Sequence, residues 1–239
     1  KGILKEEIFM NQAEGFEEGG DIKCHLKKTI YGLKQSAREW NHVITDYLKS
    51  LGFKQVQSEP CLFVRNRSGK FTYCVIWVDD ILTTGDDAID DFRKNLQSHF
   101  KMDDGSELNW CLGLHVNKDT NTGDIFVDQD KYIKDKMVEF KDFIKPGGSS
   151  TPLPSNYKEL LIEAKTAEAL PNFPYAPMLG SLMYAMLCTR PDICAAISFL
   201  ARNTKNPSKI HCQLLQHVFR YCSANPYRIR YKSNVNLVL

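Results

Sequence analysis

The sequence FTYCVIWVDDILTTG, residues 71–85, contains two apolar runs that meet at a pair of aspartates. The runs Phe71–Trp77 and Ile81–Thr84 are rich in aromatic and β-branched residues, which favour β-strands. Because successive side chains of a strand point to opposite faces, the adjacent Asp79 and Asp80 can serve one site only where the chain turns. The pattern therefore predicts a β-hairpin with both carboxylates at its tip.

An acidic tip on an apolar hairpin can hold a divalent cation. Mg²⁺ takes oxygen ligands, and a rigid hairpin keeps two carboxylates in place for a metal. Aspartate also favours turns for reasons unrelated to metals, and a solvated Asp79-Asp80 pair requires no ion. The hairpin by itself leaves both interpretations open.

Hydrophobic periodicity predicts further elements on both sides of the hairpin. Apolar residues at helical spacing, with Gly52 as the stop, predict a helix over Ser36–Leu51. The turn sequence Asn121-Thr122-Gly123 predicts a connection between two strands. The other elements predicted before residue 146 are strands at Cys61–Val64, Trp110–Val116 and Asp124–Val127 and helices at Asp87–Phe100 and Lys131–Phe140.

A Gly-Gly-Ser-Ser stretch at residues 147–150 interrupts the periodicity as a linker does. We expect a boundary at residues 147–156, with one region at residues 1–146 and another at residues 157–239. For Tyr157–Leu170 the periodicity does not decide between a helix and a polar loop. Helices are predicted further on at Met178–Cys188, Pro191–Arg202 and Ser208–Tyr221.

Composition indicates a globular chain that does not span a membrane. Of the 239 residues, 43% are hydrophobic and 25% are charged, which supports one or two domains. The apolar stretches are too short and too interrupted to cross a bilayer. Eight cysteines without short-spaced pairs predict free thiols and a reducing compartment.

The net charge is only +2, but acidic and basic residues are segregated along the chain. Acids outnumber bases between Asp79 and Glu107, and after Asp192 the sequence contains no Asp or Glu. Such a basic end is typical of a surface that grips a phosphate backbone, although a solvated helical surface gives the same pattern. Its cations are Arg202, Lys205, Lys209, Arg220, Arg228, Arg230 and Lys232.

The sequence LKKTIYGLKQSAREW, residues 26–40, resembles the family signature of copia-type retrotransposon reverse transcriptases. The tip sequence WVDD, residues 77–80, is similar to the Tyr-Val-Asp-Asp of that family. The resemblance continues in the family's order along the chain, so the blocks are specific together although each is weak alone. The remaining blocks are LGL at 112–114, DQDKYI at 128–133, STPL at 150–153, GSLMY at 180–184, TRPDI at 189–193 and RY at 220–221.

The resemblance implies an α+β right-hand polymerase, with partial fingers and palm over residues 1–146 and a mainly helical thumb and connecting region over residues 157–239. It implies RNA-directed DNA polymerisation with two Mg²⁺ ions, an RNA or DNA template with its primer, and deoxynucleoside triphosphates. Asp79 is then the principal metal ligand and Asp80 a secondary one. The remainder of a Pol polyprotein is implied as a partner, in a cytoplasmic virus-like particle or in the nucleus.

By the same resemblance, Tyr31, Gly32, Lys34 and Gln35 should lie against the incoming nucleotide and the template. Gly32 would permit a close backbone approach, while Lys34 is either a phosphate contact or a solvated lysine at the helix entrance. Trp77 stands where the family usually has Tyr. We expect its indole, which lacks an acceptor, to contact nucleic acid near the primer terminus.

Two further features bear on catalysis. The chain begins with Lys1 rather than Met, which predicts a piece of a longer polypeptide, and the family's first catalytic aspartate lies upstream of the segment corresponding to Gly2–Met10. A two-metal site without that carboxylate should bind metals poorly, so we expect little polymerase activity from this chain alone. The alternative is a non-catalytic retrotransposon remnant that binds nucleic acid. In both cases Arg220, Arg228 and Arg230 are expected to contact the phosphate backbone.

Overall fold

The computed structural model describes residues 3–85, 89–102 and 107–233. The chain divides into two compact units, Lys1–Ser106 and Glu107–Leu239, each with its own buried apolar cluster. Both units combine helices with antiparallel sheets, which confirms the predicted α+β class. Gly2 and Asp87, which begin two of the predicted segments, lie outside the described residues, as do residues 103–106 of the acidic region and 234–239 of the basic one.

The first unit begins with a two-stranded ribbon and continues with a four-stranded sheet and two helices. Its elements in chain order are β1 (Ile3–Asn11), β2 (Lys23–Lys28), α1 (Ser36–Ser50), β3 (Lys54–Val56), β4 (Glu59–Arg67), β5 (Lys70–Trp77), β6 (Asp80–Gly85) and α2 (Ile89–His99). The ribbon pairs β1 with β2, and the sheet has the order β3-β4-β5-β6. The predicted helix at Ser36–Leu51 and the predicted central strands are therefore confirmed.

One face of the four-stranded sheet and the apolar faces of α1 and α2 form the core of the first unit. Alternate residues of β5 are buried, among them Cys74 and Ile76, as the period of two in a strand requires. Ile44 on α1 and Phe92 on α2 belong to the same buried cluster. Burying one such side chain contributes about 1.5–3 kcal/mol, so this contact fixes which face of the hairpin points inward.

The second unit combines another four-stranded sheet with helices. Its elements are β7 (Trp110–Cys111), β8 (Leu114–Lys118), β9 (Ile125–Asp128), α3 (Asp130–Glu139), α4 (Tyr157–Glu163), α5 (Tyr175–Cys188), a 3-10 turn (Pro191–Ile193), α6 (Cys194–Ala201), α7 (Lys209–Ala224) and β10 (Arg228–Tyr231). The sheet has the order β10-β9-β8-β7. The undecided segment Tyr157–Leu170 thus begins with a helix.

The boundary between the compact units does not coincide with the linker predicted at residues 147–156. Ile133 on α3 and Phe140 just after it lie in the same buried cluster as the helices that follow that segment. Ser149, in the segment itself, is held to α7, because its Oγ lies 2.7 Å from Nε2 of His217.

One prediction about the second unit was wrong. Trp110–Val116 is not one strand but a tight hairpin, because Leu112 and Gly113 take φ values of 51° and 74° and turn the chain back. Two positive φ values suit a two-residue hairpin, but the apolar run continued through the turn and concealed it. Residues 157–233 are mainly helical and also contain β10, which pairs with β9 about 100 residues earlier in the chain.

Among the described residues, no helix is both long enough and apolar enough to cross a membrane. Cys74, Cys212 and Cys222 are buried free thiols, as predicted.

Candidate functional site

The two aspartates lie at the tip of the β5–β6 hairpin, as the sequence predicted. Trp77 pairs with Asp80 across the hairpin, so Val78 and Asp79 form a two-residue turn. Val78 has a φ of 52°, which a β-branched residue rarely adopts. Both carboxylates are exposed to solvent. The tip therefore presents two acidic groups on a backbone that is held in an unfavourable conformation.

Asp80 and Trp77 lie on the face of the sheet that is turned away from the core. Directly paired residues of an antiparallel hairpin share a face, and the neighbouring pair Ile76 and Ile81 packs on the buried side. The Trp77 side chain is 53% exposed. An indole and a carboxylate thus stand next to each other on the accessible side of the tip.

Two hydrogen bonds join the segment at residues 31–40 to the turn. The Tyr31 hydroxyl donates to Oδ2 of Asp79, and the Trp40 indole donates from Nε1 to the backbone oxygen of Val78 over 2.7 Å. The hydrogen bond to Asp79, together with the carboxylate charge, raises the pKa of the Tyr31 hydroxyl. The structure therefore brings Tyr31 and Asp79 together, two of the residues that the sequence assigned to one site.

The other residues of the predicted nucleotide segment are placed differently. Gly32 has a φ of +95° and has no atom within 4 Å of the position that a Cβ would take, so its backbone is open to an approaching group. Lys34 is exposed. The Gln35 side chain donates from Nε2 to Oε2 of Glu6 on β1 over 3.0 Å, and so it is directed toward the ribbon.

The donor set at the tip suits a hard divalent cation. Asp79 and Asp80 offer carboxylate oxygens, and Mg²⁺ is often bound by one or two carboxylates together with waters and substrate phosphates. Within the described ranges, no group of three or more His, Cys, Asp or Glu side chains is arranged to hold a metal. Asp79 and Asp80 could each supply a carboxylate ligand to such an ion.

The basic end of the chain is not free of acidic neighbours, which corrects the premise taken from the sequence. Arg230 on β10 lies 2.7 Å from Asp124, and Arg228 lies 3.4 Å from Asp128. A backbone hydrogen bond from Ser233 and the Arg230 side chain lower the pKa of Asp124. The acids come from β9 and the turn before it, and so a count of charges after Asp192 could not reveal them.

Arg220, the third cation assigned to nucleic acid, occupies a different environment. It lies on α7, and its aliphatic Cδ would be 3.7 Å from a Cβ placed at Gly147. Its side chain therefore passes close to the backbone at Gly147. Of the three arginines, Arg228 and Arg230 have a carboxylate partner, whereas the stem of Arg220 packs on a glycine.

Sequence reasoning missed the contact made by Trp40. The pattern placed Trp40 only on the apolar face of α1, where it does pack edge-on against Phe100 with ring centroids 5.3 Å apart. Its indole N–H reaches a turn 38 residues later in the chain. A local pattern carries no signal for such a bond, since helical spacing reports the side that a residue faces and not its partner.

One family model matches more than half of the chain. A family described as reverse transcriptase (RNA-dependent DNA polymerase) matches residues 1–154. The retrovirus-related Pol polyprotein from transposon TNT 1-94 of Nicotiana tabacum is 34% identical over 92% of this chain and 17% of its own length. That from transposon RE1 of Arabidopsis thaliana is 32% identical over 95% of this chain and 15% of its own length.

A shorter relative is covered more completely. A transposon Ty5-1 protein of Saccharomyces cerevisiae is 30% identical over 99% of this chain and 77% of its own length. The chain thus spans less than a fifth of the two plant polyproteins but most of the yeast protein. No solved structure matches this chain.

Proposed function

The chain belongs to the reverse transcriptase family of copia-type retrotransposon Pol polyproteins, and on this premise we propose that Asp79 and Asp80 carry out RNA-directed DNA polymerisation. One observation supports the proposal most strongly. The Tyr31 hydroxyl, from the segment that resembles the family's nucleotide-binding block, donates to the Asp79 carboxylate at the exposed tip of a hairpin. Groups expected to meet metal and nucleotide are thus adjacent.

In this proposal each residue of the tip has a distinct task. Asp79, as the principal ligand, and Asp80, as a secondary one, would help to hold Mg²⁺, which when bound would supply charge stabilisation for phosphoryl transfer. Trp77, on the same face as Asp80, packs against the end of the primer. Tyr31 and the open backbone at Gly32 border the incoming deoxynucleoside triphosphate, whose phosphates can also meet the exposed Lys34.

We further propose that these residues belong to a right-hand polymerase, as the family resemblance implies. We assign residues 1–146 to the partial fingers and palm, residues 147–156 to a connection, and residues 157–239 to the thumb and connecting region. Arg220, Arg228 and Arg230 are the phosphate contacts of the last region in this assignment. The partners are an RNA or DNA template with its primer and the remainder of the Pol polyprotein, in a cytoplasmic virus-like particle or in the nucleus.

Metal binding tests the proposal directly. Mn²⁺, used as a spectroscopic substitute for Mg²⁺, should bind the parent chain and bind several-fold more weakly to Asp79→Asn and Asp80→Asn. Asp46→Asn is the matched control, because Asp46 is an exposed carboxylate on α1. Equal Mn²⁺ affinity in all four proteins would contradict the assignment of the site.

Primer extension separates catalysis from the non-catalytic alternative. With Mg²⁺ and the full Pol polypeptide, extension should disappear in Asp79→Asn and persist in Asp46→Asn. A parent protein that binds a primer–template but never extends it, under conditions where it also binds Mn²⁺, would favour the remnant that only binds nucleic acid.

A further inference from the structure

The Trp40 indole holds the peptide group that leads into Asp79. Its Nε1 donates to the Val78 carbonyl oxygen over 2.7 Å. That carbonyl belongs to the same peptide plane as the Asp79 N–H, so its direction fixes how the chain enters the Cα of Asp79. A side chain on α1 thereby sets the backbone of the residue proposed as the principal metal ligand.

This peptide is also the part of the turn that can rotate. A two-residue hairpin turn has positive φ at both central residues in type I′ and at the first residue only in type II′. Val78 has a φ of 52°, whereas the φ of Asp79 is not positive. The two turn types differ in the direction of the central peptide, so a donor on the Val78 carbonyl favours one of them.

Packing makes Trp40 a rigid donor. The indole is partly buried against the core of the first unit and lies edge-on to Phe100, with ring planes at 77°. A ring fixed in this way loses little freedom when it forms the hydrogen bond. Packing in the core therefore fixes the position from which the Trp40 N–H donates to the strained turn.

We propose that Trp40 is a positioning residue for the metal site, because its hydrogen bond selects the turn conformation in which Asp79 meets the metal. The proposal rests on the function assigned to Asp79 above. Trp40 touches neither metal nor nucleotide in this role and acts through the Val78–Asp79 peptide. Loss of the N–H should lower the population of the competent turn, and apparent metal affinity falls with that population.

The test compares two variants that each delete one hydrogen bond from α1. Trp40→Phe keeps an aromatic ring against Phe100 and removes the indole N–H. Tyr47→Phe is the matched control, because the Tyr47 hydroxyl donates to the Asn95 backbone oxygen over 2.8 Å and its ring also lies edge-on to Phe100. Urea unfolding of both variants reports any general loss of stability.

Two readouts distinguish positioning from general stabilisation. By NMR of the metal-free chain, amide exchange at Asp79 and Asp80 should accelerate about 2- to 10-fold in Trp40→Phe, the range expected for one neutral hydrogen bond, and stay at the parent rate in Tyr47→Phe. Mn²⁺ affinity should fall by a similar factor in Trp40→Phe alone. Turn amides that exchange as in the parent, or that accelerate equally in both variants, would overturn the proposal.

The exchange measurement needs no metal, and so it judges Trp40 separately from the proposed function. If the parent chain bound Mn²⁺ no better than Asp79→Asn, the function assigned to the tip would fail. Faster exchange confined to the turn in Trp40→Phe would still support its control of the Val78–Asp79 peptide. If amide exchange at Asp79 and Asp80 were unchanged in Trp40→Phe and the parent still bound Mn²⁺, Trp40 would not be a positioning residue. The metal-site assignment would remain supported.

Discussion

The Tyr31 hydroxyl donates a hydrogen bond to Oδ2 of Asp79, although 48 residues separate them in the chain. The same oxygen is one that a metal ion would use. The Tyr31 side chain is 81% exposed, so no packing prevents it from turning away. When no metal is bound, the Tyr31 hydroxyl occupies this oxygen. It therefore competes with a metal ion for a ligand that the proposed reaction requires.

Tyr31→Phe should increase the affinity of the chain for Mn²⁺. Removing the hydroxyl frees the carboxylate oxygen, and the net contribution of one such bond corresponds to roughly a 2- to 10-fold change in affinity. Titration of Mn²⁺ followed by electron paramagnetic resonance measures the effect. Tyr73→Phe is the control, because Tyr73 is an exposed tyrosine of β5 that stacks on Phe71. Equal or weaker Mn²⁺ binding in Tyr31→Phe would show that the hydroxyl does not compete.

Val78→Gly should make the chain more stable. A left-handed φ is unfavourable for a β-branched residue and free of that steric cost for glycine, while the greater entropy of the unfolded glycine chain offsets part of the gain. We expect the free energy of unfolding to rise by about 0.5–1 kcal/mol, measured by urea denaturation.

Ser68→Gly provides the comparison for that measurement. Ser68 has a φ of 53° in the turn between β4 and β5, away from the aspartates. The free energy of unfolding should rise in Ser68→Gly for the same reason, while the Mn²⁺ affinity stays at the parent value. A loss of stability in Val78→Gly would mean that the valine side chain contributes contacts that exceed the strain.

The hairpin tip and α1 were predictable because their signals are local. Alternating apolar residues and an adjacent acidic pair describe a hairpin without reference to distant parts of the chain, and helical spacing up to Gly52 describes α1. The Leu112-Gly113 turn was missed because its apolar residue continued the pattern of the strand. A glycine after a strand-like run was the available sign.

The hydrophobic pattern of the sequence could not predict contacts between segments that are distant in the chain. The pairing of Arg230 with Asp124 depends on the register of β10 against β9, and the bond from Trp40 to Val78 depends on how α1 packs on the hairpin. Both follow from tertiary packing rather than from propensity. The first contact gives Arg230 a carboxylate partner. The second gives Trp40, which the pattern assigned to the apolar face of α1, a hydrogen bond to the turn.

Acid should destabilise the second unit through His211. Its Nδ1 accepts the backbone N–H of Ser208 over 3.2 Å in the cap of α7, which requires an unprotonated nitrogen, and burial lowers the pKa of this histidine from 6.5. A lowered pKa in the folded state means that the unfolded state binds the proton more tightly. Stability is therefore complete above about pH 6.5 and falls as the pH drops through 6.5 toward the folded pKa.

His211→Gln isolates this contribution, because glutamine at the same position can complete a capping box and does not titrate. Urea unfolding at pH 5 and pH 7.5 should show a smaller difference for the variant than for the parent. Burial also lowers the pKa of His217, so part of the acid sensitivity should remain in His211→Gln. The same pH dependence in parent and variant would rule out the cap as its source.

The basic end should contribute unequally to nucleic-acid binding. The guanidinium groups of Arg228 and Arg230 already face Asp128 and Asp124, whereas Arg220 packs its stem on the backbone at Gly147. A cation paired with a carboxylate releases fewer counterions when it meets a phosphate. Arg220 should therefore account for more of the salt dependence than either arginine of β10.

A salt series on a primer–template duplex measures these contributions. If about three to five cations of the chain contact phosphates, log affinity should fall against log salt with a slope of roughly −3 to −4.5. Arg220→Gln should flatten the slope by about 0.9, and Arg230→Gln by less, because Asp124 already neutralises part of its charge. Lys158→Gln, on the exposed side of α4, should leave the slope unchanged. A slope for Arg220→Gln equal to that of the parent would assign Arg220 to solvated surface, since a phosphate contact cannot be lost without the release of counterions changing.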